Sequence, residues 1–364
     1  MTPPSNAKVT SQHAVIVGVG LIGGSIGMGL RSAGWVVHGV DLDQDALRLA
    51  LTAGAIDAIG HDTNAELVVV ATPSGRVPAV LEELLKEYQL NETIFTDAAG
   101  VKSRICASIT DHRFIGGHPM AGSEQSGISG ARGDLFVGAS WVLTPGPTTS
   151  PEQYSRLLSI LRTLGAQGLA LAPEDHDRLV ALVSHVPHLV AASLMNEAAR
   201  AAESDVTLLQ LAAGGFRDMT RIAAGDPQIW PDVCLENGDA ILESLDDLTA
   251  RIGHLREIIA SGNRSQLHAA LSEASRARNS LPGRTVAESD LRQVRIPVPD
   301  RAGVLAEVTG IASDAGVGIF DLEIAHGIEG DRGVLILVIN SSDATVFHEI
   351  LDSKGFTSSS APLR

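Results

Sequence analysis

Cysteine is nearly absent from this 364-residue chain: Cys106 and Cys234 are the only two. Neither is flanked by a CxxC or a Cys/His cluster, so there is no disulfide framework to build a fold around. Basic residues are also in deficit. Lys and Arg number 27 against 43 Asp and Glu, a net charge of −16. Nucleic-acid binding needs a basic patch to meet the phosphates, and no run here would build one. At 44% hydrophobic and 19% charged residues the chain has ordinary globular proportions, not those of a disordered one. Its length suits two or three domains of roughly 100–200 residues each.

A membrane span is lacking as well. Ala14–Leu30 (AVIVGVGLIGGSIGMGL) is uncharged and resembles the apolar core of a secretory leader. A leader wants several basic residues before that core and a small-residue cleavage site after it. Lys8 is the only Lys or Arg upstream, and Arg31 ends the run. Six glycines, each costing about 1 kcal/mol relative to Ala, make a poor membrane helix, and the run is short for a bilayer. The chain reads as cytoplasmic.

What is present is alternation. Expected strands are Ala14–Val17, Val36–Val40, Leu67–Ala71, Thr93–Thr96, Phe114–Gly116, Ser140–Thr144 and Gly168–Leu171, separated by amphipathic stretches such as Gln44–Ala53 and Arg76–Tyr88. This α/β pattern predicts a parallel sheet with helices on both faces, a Rossmann-type domain over 1–172. From Pro173 the texture becomes helical. Glu174–Ala202 reads as one long helix with Pro187 inside it. A short helix near Val206–Leu211 follows, then a Gly214-Gly215 break and helical patterns at Asp232–Glu243, Leu245–Ile259 and Ser265–Ser280. A helix as apolar as VALVSHVPHLVAASLM belongs in a core or against a second subunit. An all-helical domain over 173–285 that forms a homodimer is therefore expected. Leu281–Asp290 reads as a linker, and 290–364 follows the order βαββαβ, the ferredoxin-like pattern.

Gly18-Val19-Gly20-Leu21-Ile22-Gly23 fits GxGxxG. Alone the motif is weak, but a strand precedes it, a helix follows, and a second strand ends in Asp41, 18 residues past Gly23. Gly18 permits the tight turn, Gly20 lets backbone approach a pyrophosphate, and Gly23 lets helix and strand pack closely. The helix start offers free N–H groups to the phosphates. Asp41 would bond the adenosine ribose and repel a 2′-phosphate, favouring NAD, although it could instead cap the next helix and Arg48 could reach a phosphate.

Ligands of open parallel sheets bind beyond the carboxyl ends of the strands. Three segments fall there: Ala71-Thr72-Pro73, which would face the cofactor, Asp97–Lys102, and Gly116–Glu124. His118, just past a strand end, is placed to act as a general base or to fix the glycine-rich loop. His185 and His188, three apart, share a helix face. His176, nine residues before His185, falls on roughly the opposite face. A zinc site would need a third ligand, there is no HExxH, and hydride transfer to NAD needs no metal. Arg217 and Arg221 stand one turn apart. Arginine suits a carboxylate substrate, and a surface ion pair with Asp218 or Asp226 is the plainer reading.

Together the segments GVGLIGGS, TDAAGVKS, GGHPMAGSEQSG, SHVPHLVA, GGFRDMTRIAAGDPQIW and LEN resemble the prephenate/arogenate dehydrogenase family of tyrosine biosynthesis, in order and spacing, from about Val15 to Ile259. The resemblance implies NAD-linked oxidative decarboxylation of prephenate to 4-hydroxyphenylpyruvate, or of arogenate to tyrosine. His118 matches the family's catalytic histidine, Arg221 the arginine that holds a substrate carboxylate, and His188 a substrate-site histidine with His185 beside it. Ser123, Glu124 and Trp230 would complete the pocket, with His176 at its border. Many relatives read GSVK where this chain has Ala99-Gly100-Val101-Lys102, so the serine they place near the histidine is missing and Gly100 stands in its place. What orients His118 is left open.

The C-terminal PVPDRAGVLAEVTGIASDAGVGIFDLEI resembles an ACT domain, whose amino-acid site would match Asp300, Gly303 and Val304. Tyrosine as effector and a purely structural domain are both compatible with it. Two rivals remain. A β-hydroxyacid dehydrogenase usually has a lysine on the long helix, and Glu174–Ala202 has none. A non-enzymatic NAD- and amino-acid-sensing regulator would want degraded catalytic positions, and His118, His188 and Arg221 are intact.

Overall fold

The computed structural model describes residues 12–88, 92–122, 125–205, 207–280, 291–299, 304–326 and 332–362. By its contacts the chain divides into two units, 1–254 and 255–364.

In the first unit, strands β1 (His13–Val17), β2 (Val36–Val40), β3 (Ala58–Ile59) and β4 (Leu67–Val70) alternate with helices α1 (Leu21–Ser32) and α2 (Gln44–Thr52). Then come a 3₁₀ turn at Ser74–Arg76, α3 (Val77–Glu87), β5 (Ile94–Asp97), α4 (Ser103–Ser108), β6 (Phe114–Pro119), β7 (Ser140–Thr144), α5 (Pro151–Thr163) and β8 (Gln167–Ala170). The sheet runs β3-β2-β1-β4-β5-β6-β7-β8. β1 is uniformly apolar after His13 because both faces are covered: Ala14 and Ile16 point into one core, Val15 and Val17 into the other. Since β2 and β4 flank β1, chain direction reverses there, and a crevice opens at the carboxyl ends of β1 and β4.

The expected sheet was parallel throughout. Instead β7 pairs antiparallel with β6, Gly117 opposite Leu143 and His118 opposite Val142. A parallel neighbour needs a crossover helix, and between these strands the chain forms only a 3₁₀ turn at Ile128–Gly130 among the described residues. In α1 the glycines serve packing: a Cβ on Gly27 would stand 2.3 Å from the Ala55 carbonyl and one on Gly29 2.7 Å from Leu164 Cδ2.

The long helix is not one α-helix. It comprises α6 (Pro173–Val180), a π segment (Ala181–His185) and α7 (Val186–Ala202). Pro187 has no N–H to give to an earlier carbonyl, which favours the wider turn just before it. With a mean hydropathy of 1.5, Pro173–Ala202 is long and apolar enough to cross a membrane. Yet Ala181 and Val186 form a core with Ile241, and the helix carries His176, His185 and His188, all buried.

α8 (Thr207–Gln210), α9 (Gly214–Thr220) and a 3₁₀ turn (Arg221–Ala224) lead to α10 (Trp230–Glu236) and α11 (Gly238–Ala260). The expected helix Asp232–Glu243 is interrupted at Asn237. Its amide Nδ2 donates to the Asp177 carbonyl at 2.8 Å and lies 3.2 Å from His185 Nδ1. That tertiary pairing outweighs local helix continuation. α12 (Arg264–Asn279) follows, and the expected linker lies outside the described residues.

The C-terminal unit then reads β9 (Leu291–Pro299), α13 (Val304–Asp314), β10 (Ile319–His326), β11 (Arg332–Asn340), α14 (Ala344–Ser353) and β12 (Ser359–Pro362). They form a sheet ordered β10-β11-β9-β12 with all neighbours antiparallel. The last strand starts later than the expected Phe356–Ser360, because Phe356 is buried at the end of α14 and its N–H bonds to the Leu351 carbonyl.

Candidate active site

The crevice begins at the glycine loop. Gly18 has φ +94°, and a Cβ there would lie 2.5 Å from the Ala71 carbonyl. A Cβ on Gly23 would reach 1.8 Å from the Gly18 carbonyl, so only glycine lets α1 start this close to β1. Around Gly20 a Cβ would meet nothing within 4 Å, which leaves its backbone open to the crevice. Two cavities share Gly20, Ala71, Thr72 and Pro73. One, of about 550 Å³, runs past Asp41, Arg76 at the end of the 3₁₀ turn, and the α3 face bearing Val80 and Leu84. The other, of about 490 Å³, runs past Leu21, Ile22, Gly100 and Asp232. A dinucleotide fits this outline, one half to each side of an open glycine.

Asp41 accepts from the Val19 N–H and from the Asp43 N–H, both at 2.9 Å. The cap of α2 is Asp43, which accepts from Asp45 and Ala46 N–H groups. Asp41 is therefore bound to the glycine loop, not spent as a helix cap. Arg48 is paired with Asp45 on its own helix, so the one arginine weighed as a phosphate ligand is directed elsewhere.

His118 projects from the end of β6. Its Nδ1 lies 2.8 Å from His176 Nε2, and His176 Nδ1 lies 2.8 Å from Asp177 Oδ1. Asp177 also accepts from the Lys102 N–H at 2.7 Å and the Ser103 N–H at 2.8 Å. Burial alone would raise the Asp177 pKa, but the hydrogen bonds from His176, Ser103 and Lys102 outweigh it and hold the carboxyl below its usual range. A carboxylate only accepts, so His176 Nδ1 carries the proton. A neutral His176 then accepts at Nε2, His118 Nδ1 donates, and His118 Nε2 is left with a lone pair. That nitrogen faces Gly100, whose Cβ would stand 3.8 Å from it. Burial above all, with the repulsion a protonated His118 would meet from Lys102 and from any proton on His176 or His185, holds the His118 pKa well below 6.5 against the pull of Asp177. The ring is neutral at neutral pH.

The relay rests on fixed ground. Lys102 and Asp97 form an ion pair with both side chains fully buried. Asp97 also accepts from the Ala99 and Gly117 N–H groups at 3.0 Å. This ties the strand ends carrying Gly100 and His118 together.

Beside the relay, a cavity of about 350 Å³ is lined by Gly122, His188, Arg221, Asp226, Ile229 and Trp230, among others. His188 stacks on Trp230 with ring centroids 3.5 Å apart and planes 12° apart. Burial lowers its pKa, so it too is neutral near neutrality. Asp226 and Ile229 line this cavity and the Asp232 one, so the two adjoin. Thus His188, Arg221 and Trp230 come together as the sequence suggested. His185 does not line the cavity: it is 2% exposed, held by Asn237 behind Trp230, and burial takes its pKa down to about 4. Ser123, Glu124, Asp300 and Gly303 lie outside the described residues; Val304 opens α13 and is buried.

His176 is central to the site and not at its border, and Asp177 and Asn237 join it without a motif of their own in the sequence. Counting 3.6 residues per turn sets His176 and His185 on roughly opposite faces. The π segment absorbs one extra residue and brings them to about 80° apart. The adjacent pair His176-Asp177 was itself a signal, since a histidine chain needs a terminal carboxylate to fix its tautomers.

A crevice at the strand-order reversal, a glycine loop and a neutral, carboxylate-anchored histidine define a dinucleotide-dependent dehydrogenase. Residues 26–169 match the nucleotide-binding domain of prephenate dehydrogenases and residues 172–273 their dimerization domain. The prephenate dehydrogenase of Bacillus subtilis is 32% identical over 342 residues, covering 90% of this chain and 92% of that one. The prephenate dehydrogenase of A. aeolicus, solved with hydroxyphenyl propionate and NAD+, superposes with a TM-score of 0.69 at 29% identity, covering 74% of this chain and 98% of that one. Synechocystis arogenate dehydrogenase gives 0.63 at 34% identity, covering 74% and 99%. The chain belongs to the prephenate dehydrogenase family.

Proposed function

We propose that the chain oxidatively decarboxylates prephenate to 4-hydroxyphenylpyruvate with NAD. The observation that carries this is the chain Asp177–His176–His118, which leaves a lone pair on His118 Nε2, facing Gly100 in the lining of the cavity that holds Asp232. Gly18, Gly20, Leu21, Ile22, Gly23, Thr72 and Pro73 would hold the dinucleotide, with Asp41 on the adenosine ribose. When bound, NAD accepts the hydride from ring carbon 4. His118 Nε2 takes the proton of the 4-hydroxyl as that hydride leaves. The resulting dienone loses the ring carboxylate as CO2, its bonding pair enters the ring, and the phenolate oxygen takes the proton back from His118. Arg221 suits one substrate carboxylate by charge and geometry. His188 and Trp230 would flank the ring, and Ser123 and Glu124 would close the pocket. His185 supports Trp230 from behind.

The likeness to Synechocystis arogenate dehydrogenase makes arogenate the second substrate to assay. NADH formation with prephenate and arogenate separately, in wild type and His118→Asn, decides the matter. The expected result is turnover of prephenate that collapses in the variant while NADH still binds. Silence with both substrates in protein that binds NADH ends the reading.

We further propose a homodimer built on the helical segment, whose long helix leaves Leu179, Leu182 and Val183 substantially exposed. The βαββαβ unit is proposed as a ferredoxin-like ACT domain with tyrosine as effector near Asp300, Gly303 and Val304. Its strand order supports the first part, and inhibition by tyrosine tests the second.

A further inference from the structure

The two cavities that meet at Gly20 are unlike in what they carry. The adenosine side has Asp41 at the end of β2. The other side has a second carboxylate, Asp232, in the first turn of α10, together with Thr72 and Ser74. Ser74 is 7% exposed, and neither its Oγ nor Thr72 Oγ1 finds a hydrogen-bond partner among the described residues. A buried hydroxyl left unpaired is costly, and this one lines a cavity. Asp232 comes close from the opposite wall: a Cβ on Gly75 would lie 3.5 Å from Asp232 Oδ2, which sets that carboxylate over the Ser74–Gly75 backbone. Asp232 itself is exposed to the crevice.

A nicotinamide dinucleotide is nearly symmetric about its pyrophosphate. Each half has a ribose with two adjacent hydroxyls, which a carboxylate can accept and a serine hydroxyl can complete. If the pyrophosphate lies at Gly20, one ribose falls to Asp41 and the other to the Asp232 side. We infer that Asp232 and Ser74 bind the hydroxyls of the ribose attached to nicotinamide, as the counterparts of Asp41. This rests on the NAD reading above and extends it. The pairing joins the β4–α3 loop to α10, so the cofactor itself would bridge the sheet and the helical segment that supplies Trp230. Because one of the two partners comes from the helical segment, nicotinamide placement depends on both.

The competing role for Ser74 is a structural one, tethering α10 through Glu236. The Glu236 Oε2 is also buried without a partner among the described residues, and its Oε1 would lie 3.3 Å from a Cβ on Gly75. Calorimetric titration of the full-length protein separates these. ADP carries the adenosine ribose and the pyrophosphate; ADP-ribose adds the second ribose without nicotinamide. In Ser74→Ala and in Asp232→Asn, affinity for ADP-ribose and for NAD is expected to fall about tenfold, a loss of one charge-assisted hydrogen bond, with ADP unchanged. Equal losses for ADP and ADP-ribose, or no loss for either, overturn the assignment. Wild-type protein that binds ADP-ribose no better than ADP overturns it without any variant. Wild-type protein that binds neither removes the NAD reading on which it stands.

Discussion

Asp177 accepts three hydrogen bonds, two from backbone and one from His176, and so decides where protons sit two rings away. Replacing its carboxylate by an amide lets that side chain donate to His176 Nδ1. His176 then carries its proton on Nε2 and donates to His118, whose own proton moves to the nitrogen that must accept. Asp177→Asn is therefore expected to lower kcat by about 10²- to 10⁴-fold, with KM and NADH affinity little changed. A variant that loses NADH binding and thermal stability together, with kcat intact, would mark Asp177 as merely structural. The same ring sets the acid limit of the wild type. Its pKa lies below 6.5 because burial penalises the cation, so the acid limb of kcat/KM should lie below pH 6.5 and not at it. The sign for stability agrees. The unfolded chain protonates this histidine near 6.5 while the folded one keeps it neutral, so stability falls as pH drops from 6.5 toward the folded value. An acid limb at or above 6.5 in a pH–rate profile contradicts the burial argument.

Between Val180 and Val186 the long helix takes five residues in a π turn. Such a turn absorbs a single extra residue while the helix downstream keeps its direction. Removing Ser184 should therefore restore a continuous α-helix and leave His188 on Trp230, with helical circular dichroism retained and activity largely kept. Adding one alanine at the same place should instead rotate everything downstream by about 100°, separating His188 from Trp230 and abolishing turnover. Equal activity in both variants would show that the π turn does not set the phase. This element marks the limit of what periodicity can read. The strands beside the glycine loop, the motif itself, and the residues His118, His188, Arg221 and Trp230 were legible, because their patterns are local or carried by specific motifs. The phase of His176 was not, since one absorbed residue alters every face beyond it. The break at Asn237 was hidden because its amide is satisfied by Asp177 and His185, some 50–60 positions away in sequence. The direction of β7 has a trace in the sequence: no helix-forming stretch separates it from β6.

At the scale of the whole molecule, the long helix presents two faces with different duties. One carries His176, His185 and His188 inward, each less than a tenth exposed. The other leaves Leu182 at 59% and Val183 at 64% exposed, on a segment matching a dimerization domain. A helix this apolar gains little by facing water, at about 25 cal/mol per Å² of apolar surface, so a second copy of the same face is the natural cover. In a twofold dimer each residue enters the interface twice, which makes substitution there doubly costly. Two glutamates per chain would put four carboxylates into one apolar contact, and charges are expensive to bury there. Leu182→Glu combined with Val183→Glu is therefore expected to convert a dimer into a monomer in sedimentation velocity. Since neither side chain points toward His118, the monomer should still bind NADH. A wild-type chain that sediments as a monomer at every concentration, or a double variant that remains a dimer, would place the interface elsewhere or remove it.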